Sequence, residues 1–196
     1  MKGRTTRWVG ILFIVCLVLI PSFSWADDDA YLLKKGTKEL SIGSGFARSF
    51  DSNLSLDMVP LDIRYGVVLT NPIGPSILKG NFEVLGEATY DYIVDQGRYG
   101  IGLSALFRYN FLISDCFKPF FQLGIGVYNT NLAMRDFPNE FNFLSQAGAG
   151  FNLFISPKVA LQLEYGAQHL SNASFYKHNG GLNRSKGEFG IAFFFK

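Results

Sequence analysis

The feature that most constrains this chain is a period of two in its hydrophobicity. From Tyr99 the odd positions read Tyr99, Ile101, Leu103, Ala105, Phe107, Tyr109 and Phe111. Between them lie Gly100, Gly102, Ser104, Leu106, Arg108 and Asn110. Successive side chains of an extended strand point to opposite faces, so this stretch has one apolar face and one small or polar face. The same alternation runs through Leu61, Ile63, Tyr65, Val67 and Leu69, then through Phe82, Val84, Ala88, Tyr90 and Tyr92. It returns at Phe121 to Val127, at Val159 to Ala167 and at Phe189 to Phe195, with weaker versions over 40–46 and 143–155. The pattern predicts eight strands, an even number. No run of 18 or more apolar residues follows residue 26, which argues against a transmembrane helix.

Turn chemistry divides the strands unequally. Asn71-Pro72-Ile73-Gly74-Pro75, Ser114-Asp115 and Ser156-Pro157 are short breakers, whereas 50–53, 95–97, 129–140 and 171–187 read as longer polar connections. Short turns on the periplasmic side and long loops outside is the arrangement of an outer-membrane barrel. A soluble barrel would also alternate, and composition separates the two. Charged residues make up 17%, below the roughly 25% of ordinary soluble domains. The non-apolar face is mostly Gly, Ser, Gln and Ala with scattered acids and Arg64, Arg98 and Arg108, which suits the narrow interior of eight strands. The continuous Phe, Leu, Ile and Val face suits lipid. The expected fold class is all-β: an eight-stranded antiparallel transmembrane β-barrel.

The ends of the chain fit export. Lys2, Arg4 and Arg7 form a basic start, Trp8 to Ile20 is apolar, and Ser24-Trp25-Ala26 has the small–x–small form that a signal peptidase cuts. Residues 1–26 are therefore expected to be a cleaved signal peptide, and 27–196 a single barrel domain in the bacterial outer membrane. Loss of Lys2, Arg4 and Arg7 takes the 18 bases to 15 against 16 acids, which excludes a generally basic nucleic-acid binder. Cys116 would remain alone, too few thiols for an internal disulfide or a zinc cluster.

Eight strands enclose no general pore, so chemistry is expected at a rim or on the outer wall. Gln168-His169-Leu170-Ser171-Asn172-Ala173-Ser174, at the outer end of the seventh strand, is the informative segment. His169 and Ser171 share the odd parity of the lipid face, where polar groups are costly to desolvate. Imidazole beside a hydroxyl is the minimum for activating a serine nucleophile, and a substrate reached from that face is a lipid. The alternative is that both groups sit idle at headgroup level.

His169-Leu170-Ser171-Asn172-Ala173, followed by Asn179-Gly180-Gly181, resembles the outer-membrane lipid A 3-O-deacylase (PagL-like) family. The specific motif covers about the last 30 residues, and the remainder agrees in architecture. The resemblance implies hydrolysis of the ester-linked 3-hydroxyacyl chain of lipid A, with lipopolysaccharide as partner and no cofactor or metal. It makes Ser171 the nucleophile and His169 its base, with Asn179 stabilising the oxyanion and Asn172 in support. Two positions depart from the family pattern: Ser174 stands where a Gly is expected, and Asn183 where the acid that orients the histidine is expected. Asn183 is the expected orienter, with Glu188 a poor second because its parity points it into the lumen. Two rivals stay open, a non-catalytic structural or surface-binding barrel and an esterase acting on another lipid.

The remaining polar residues read differently. Lys177, Arg184 and Lys186 are expected in a basic outer loop suited to lipid A phosphates, or simply solvated there. His178 reads as a loop surface residue, and Glu83, Glu87, Asp91 and Glu164 as a structural charge network in the lumen.

Overall fold

The computed structural model describes residues 33–50, 55–132, 141–173 and 181–196. The leader expected over 1–26, and Ser174, Lys177, His178 and Asn179, lie outside the described residues. Eight strands follow in order: β1 Lys38–Ser49, β2 Asp57–Val68, β3 Gly80–Ile93, β4 Arg98–Phe111, β5 Phe117–Thr130, β6 Phe141–Ser156, β7 Val159–Ser171 and β8 Leu182–Phe195. Each pairs antiparallel with its sequence neighbour, and β1 pairs with β8 to close the barrel. Closure leaves no edge strand, which is what permits a sheet to exist within hydrocarbon. The strands run from 12 to 16 residues, longer than the about 9–11 that a tilted strand needs to cross a bilayer.

Burial follows the predicted parity. Leu61, Ile63, Tyr65, Ile101, Leu103, Phe107, Leu123 and Ile125 are exposed on the outer wall, and their neighbours of opposite parity are buried. In this barrel an exposed apolar side chain is one that faces lipid. The lumen is closed by polar pairing in the middle and by apolar side chains at each end. Arg64 donates to Glu87 and Glu164 at 2.7 Å each and to Glu188 at 2.9 Å. Lys186 reaches Asp62 at 2.8 Å and Glu188 at 2.9 Å. Arg108 donates to Glu39 and Gln122 at 2.9 Å, while Tyr128 Oη donates to Asp91 at 2.7 Å. Such charges tolerate burial only because each meets an opposite charge and further hydrogen bonds.

Toward one mouth, Met58, Ile93, Tyr128, Leu144, Leu170 and Leu182 form an apolar plug. At the other, Leu33, Val68, Phe154, Ala160, Ala192 and Phe194 do the same. Asn81 Nδ2 donates to the Leu33 carbonyl at 2.6 Å and so ties the segment before β1 into that mouth. Two voids lined by the central charges are about 10 Å³ each, room for a single water.

One expectation fails. Arg184 and Lys186 do not belong to an outer loop: β8 starts at Leu182, and both are buried in the lumen. Arg184 is paired there with Asp91 and Gln168, and Lys186 with Asp62 and Glu188. Neither can reach a lipid phosphate. Arg98 keeps the inner-face parity, opposite buried Ile93, and is exposed because it starts β4 at the rim. Glu83, Glu87, Asp91 and Glu164 are buried inside the barrel as anticipated.

Candidate active site on the outer wall

The end of β7 and the start of β8 set the site. Gln168, Leu170 and Asn172 are buried, so His169 and Ser171 between them face outward, His169 exposed and Ser171 half-buried. In the β7–β8 register His169 lies directly opposite Asn183. Directly opposed residues share a face and bring their side chains within contact range. His169 Nδ1 is 2.8 Å from Asn183 Oδ1. An amide oxygen only accepts, so Nδ1 is the donor in this bond, and in the neutral imidazole the lone pair then falls on Nε2. That is the tautomer a general base requires. The Asn183 backbone is held in turn, its carbonyl accepting from Phe50 N at 3.0 Å.

The chain departs from extended geometry immediately after Ser171. Ala173 has φ +50°, an uncommon left-handed conformation for a residue with a Cβ. On the return, Gly181 has φ +72° and lies against the histidine. A Cβ built there would stand 3.0 Å from His169 Cε1 and 3.2 Å from the Leu170 carbonyl. Glycine thus satisfies both the backbone and the ring at this position. Its place in the Asn179-Gly180-Gly181 motif alone does not disclose this role.

Ser145 is a second residue with no role in the sequence reading. It lies opposite His169 on β6, exposed on the lipid-facing wall. Its signal was available, as a polar residue at the parity of Phe143, Ala147 and Ala149. Beneath His169 the outer wall is made of small residues: Ala147 pairs with Ala167, and Ala167 with Ser185. The result is an open cleft of about 280 Å³ whose lining includes Phe50, Ser145, Ala147, Ala167, His169 and Asn183. Ala147, Ala167 and Phe50 are its apolar surface, and Ser145, Gln146, Gln168, His169 and Asn183 its polar one.

The other predicted residues are placed as follows. Asn172 is buried at the outer mouth, on the inward parity and away from the face that Ser171 shares with His169. Asn179 is outside the described residues. Glu188 is buried in the lumen against Arg64 and Lys186, on the far side of the sheet from His169. No group of three or more His, Cys, Asp or Glu suited to a metal occurs among the described residues.

Fold and site together define an outer-membrane barrel whose distinctive polar groups stand on its lipid-facing wall near one rim. The chain belongs to the lipid A 3-O-deacylase (PagL) family, whose sequence pattern matches residues 62–192. No curated protein matches it in sequence. Among solved structures it is similar to the outer-membrane enzyme PagL, at 21% identity and a TM-score of 0.59, over 78% of this chain and 97% of that one. It is likewise similar to Neisserial surface protein A (13% identity, TM-score 0.61, 82% of this chain and 100% of that one). The N-terminal barrel domain of Pseudomonas aeruginosa OprF is a third (15%, TM-score 0.52, 82% and 98%). At these identities the structural likenesses speak to the fold, that of an outer-membrane barrel.

Proposed function

We propose that this protein is a serine esterase that removes the 3-O-linked hydroxyacyl chain from lipid A in the outer leaflet. Family membership supports the substrate and the reaction class. The observation that carries the mechanism is the 2.8 Å bond from His169 Nδ1 to Asn183 Oδ1, on the face His169 shares with Ser171. It leaves Nε2 free to accept a proton from the serine hydroxyl.

In the first half-reaction Ser171 Oγ attacks the ester carbonyl carbon, and its proton passes to His169 Nε2. The tetrahedral intermediate collapses as the imidazolium returns that proton to the departing sugar 3-oxygen. This leaves an acyl-serine and a free sugar hydroxyl. Water then attacks the acyl-serine with His169 again taking the proton, and the 3-hydroxy fatty acid leaves while Ser171 is restored. Asn179 supplies an oxyanion donor, a contribution typically worth about 10²–10³ in rate. Asn172, buried beside the nucleophile, supports the turn that carries it. The alanine-floored cleft beneath His169 seats the acyl chain.

Asn183 gives a specific reason to keep a non-catalytic barrel in view, because an amide cannot neutralise the imidazolium as a carboxylate does. The two readings, and that of an esterase for another lipid, separate in one experiment. The full-length chain, Ser171→Ala and Asn183→Glu are expressed in the outer membrane of a diderm bacterium and their lipid A is compared by mass spectrometry. Loss of one 3-hydroxyacyl mass with the natural chain but not with Ser171→Ala is the expected result. Unchanged lipid A from all three folded proteins would sink the proposal, and activity in Asn183→Glu alone would mark the natural chain as a decayed enzyme.

A further inference from the structure

The turn between β2 and β3, at the end of the barrel opposite the cleft, is built unlike its neighbours. It folds into a 3₁₀ turn over Ser76–Leu78 in which no residue is buried. Ile77 is 74% exposed, above every other large apolar side chain on the described surface, and Leu78 and Ile73 are exposed beside it. Turns are ordinarily polar, and a contiguous apolar tip marks a contact surface. The turn is rigidly held. Ile73 and Gly80 exchange backbone hydrogen bonds at 2.7 and 2.9 Å, and Tyr109 Oη donates to the Leu78 carbonyl at 2.8 Å.

The Tyr109 bond fixes the direction of the tip. Tyr109 has the outward parity of Phe107 and Phe111 on β4, so the turn leans onto the lipid-facing wall and not across the barrel mouth. Gly80 makes this possible, since a Cβ there would stand 2.5 Å from Tyr109 Cε1. Phe82, Tyr109 and Phe111 pack edge to face at the same place, with ring centroids 4.9 and 5.0 Å apart. Aromatic groups of this kind gather where a barrel leaves the hydrocarbon band. The apolar tip therefore continues the lipid-facing surface past its aromatic girdle. Lys79 follows the tip and Lys35 is exposed at the same end, and neither forms an ion pair among the described residues. Ammonium groups flanking an apolar tip match phosphates above acyl chains.

We infer that Ile73, Ile77 and Leu78 form a foot that inserts into the headgroup–acyl boundary of the phospholipid leaflet on the periplasmic side, with Lys79 and Lys35 on the phosphates. A foot of this kind fixes the depth and rotation of the barrel independently of any activity at the opposite end.

Tryptophan as a depth reporter tests this. With Trp8 and Trp25 changed to Phe, Ile77→Trp leaves one indole in the full-length chain. The protein is refolded into phosphatidylethanolamine–phosphatidylglycerol vesicles, and folding is checked by its heat-dependent migration in SDS gels. Blue-shifted emission is expected, with at least half of it lost to lipids brominated near the glycerol backbone, less to lipids brominated at the chain ends, and little to acrylamide. Asp115→Trp, in the exposed β4–β5 turn at the same end, should behave in the opposite way. Red emission quenched by acrylamide and not by brominated lipid at position 77 would overturn the inference and point to a protein partner or bare water. Leu78→Trp gives the same reading by a second position if Ile77→Trp does not fold.

Discussion

The barrel carries polar side chains on both of its faces, with opposite results. In the lumen Arg64 is surrounded by Glu87, Glu164 and Glu188, and Lys186 by Asp62 and Glu188, all within 2.9 Å. These groups are paired with one another and sealed between two apolar plugs, out of reach of a substrate. On the outer wall a single hydrogen bond joins His169 to Asn183, and the second imidazole nitrogen is left toward the membrane. Carboxylates alone therefore do not locate chemistry in such a fold. What matters is which face a side chain takes.

The sharpest test of that contrast is Ser171→Ala. Deacylation per folded protein should fall by at least about 10⁴-fold, as loss of a nucleophile does when the catalytic groups act as a unit. The midpoint of unfolding in urea with lipid present should not move. Next comes Arg64→Leu, which removes the guanidinium shared by three buried carboxylates. A loss of about 3–5 kcal/mol in unfolding free energy is expected, while turnover of the fraction that folds should match the natural chain. A large fall in that turnover would show that lumen and wall are coupled and break the comparison.

Asn183→Leu removes the acceptor that holds the Nδ1 proton. A fall of about 10² in kcat with little change in KM is expected, at the lower end of what general base catalysis contributes. Gly181→Ala brings a Cβ to within 3.0 Å of the imidazole edge and strains φ +72°. Its effect should be smaller, about tenfold in kcat, on the scale of the 1–3 kcal/mol that such strain costs, and a normal KM would identify it as a disturbance of the ring. Smallest of all is Glu188→Gln, where turnover within about twofold of the natural chain is expected, since this carboxyl faces the lumen. Comparable losses from Glu188→Gln and Asn183→Leu would overturn the assignment of the orienting residue.

Much of this was legible from the sequence because a strand's period is fixed by geometry. Alternation over β4 alone separates wall from lumen, and the same parity put His169 and Ser171 on the wall. The opposition of Asn183 to His169 follows once the turn length between β7 and β8 is known. The error at Arg184 and Lys186 has a physical origin. Over 183–188 the outward residues are Asn183, Ser185 and Gly187 and the inward ones are Arg184, Lys186 and Glu188. This part of the wall borders the cleft, so its lipid face is small and polar, while its lumen face serves the charge network. With no apolar face left, the strand reads as a loop. Leu144, Leu170 and Leu182 hide the pattern from the other direction, as apolar residues pointing inward to close the outer mouth.

The outward orientation of His169 and Asn183 also sets how this wall meets other molecules. Nothing reaches it through the barrel, because the lumen is filled, so a lipid partner arrives sideways within its own leaflet. Encounter is then a search in two dimensions, and its frequency follows the mole fraction of the partner among surrounding lipids, not its amount per volume. Diluting the membrane with inert lipid should slow the reaction at constant total substrate, whereas diluting the suspension with buffer should leave the rate per protein unchanged.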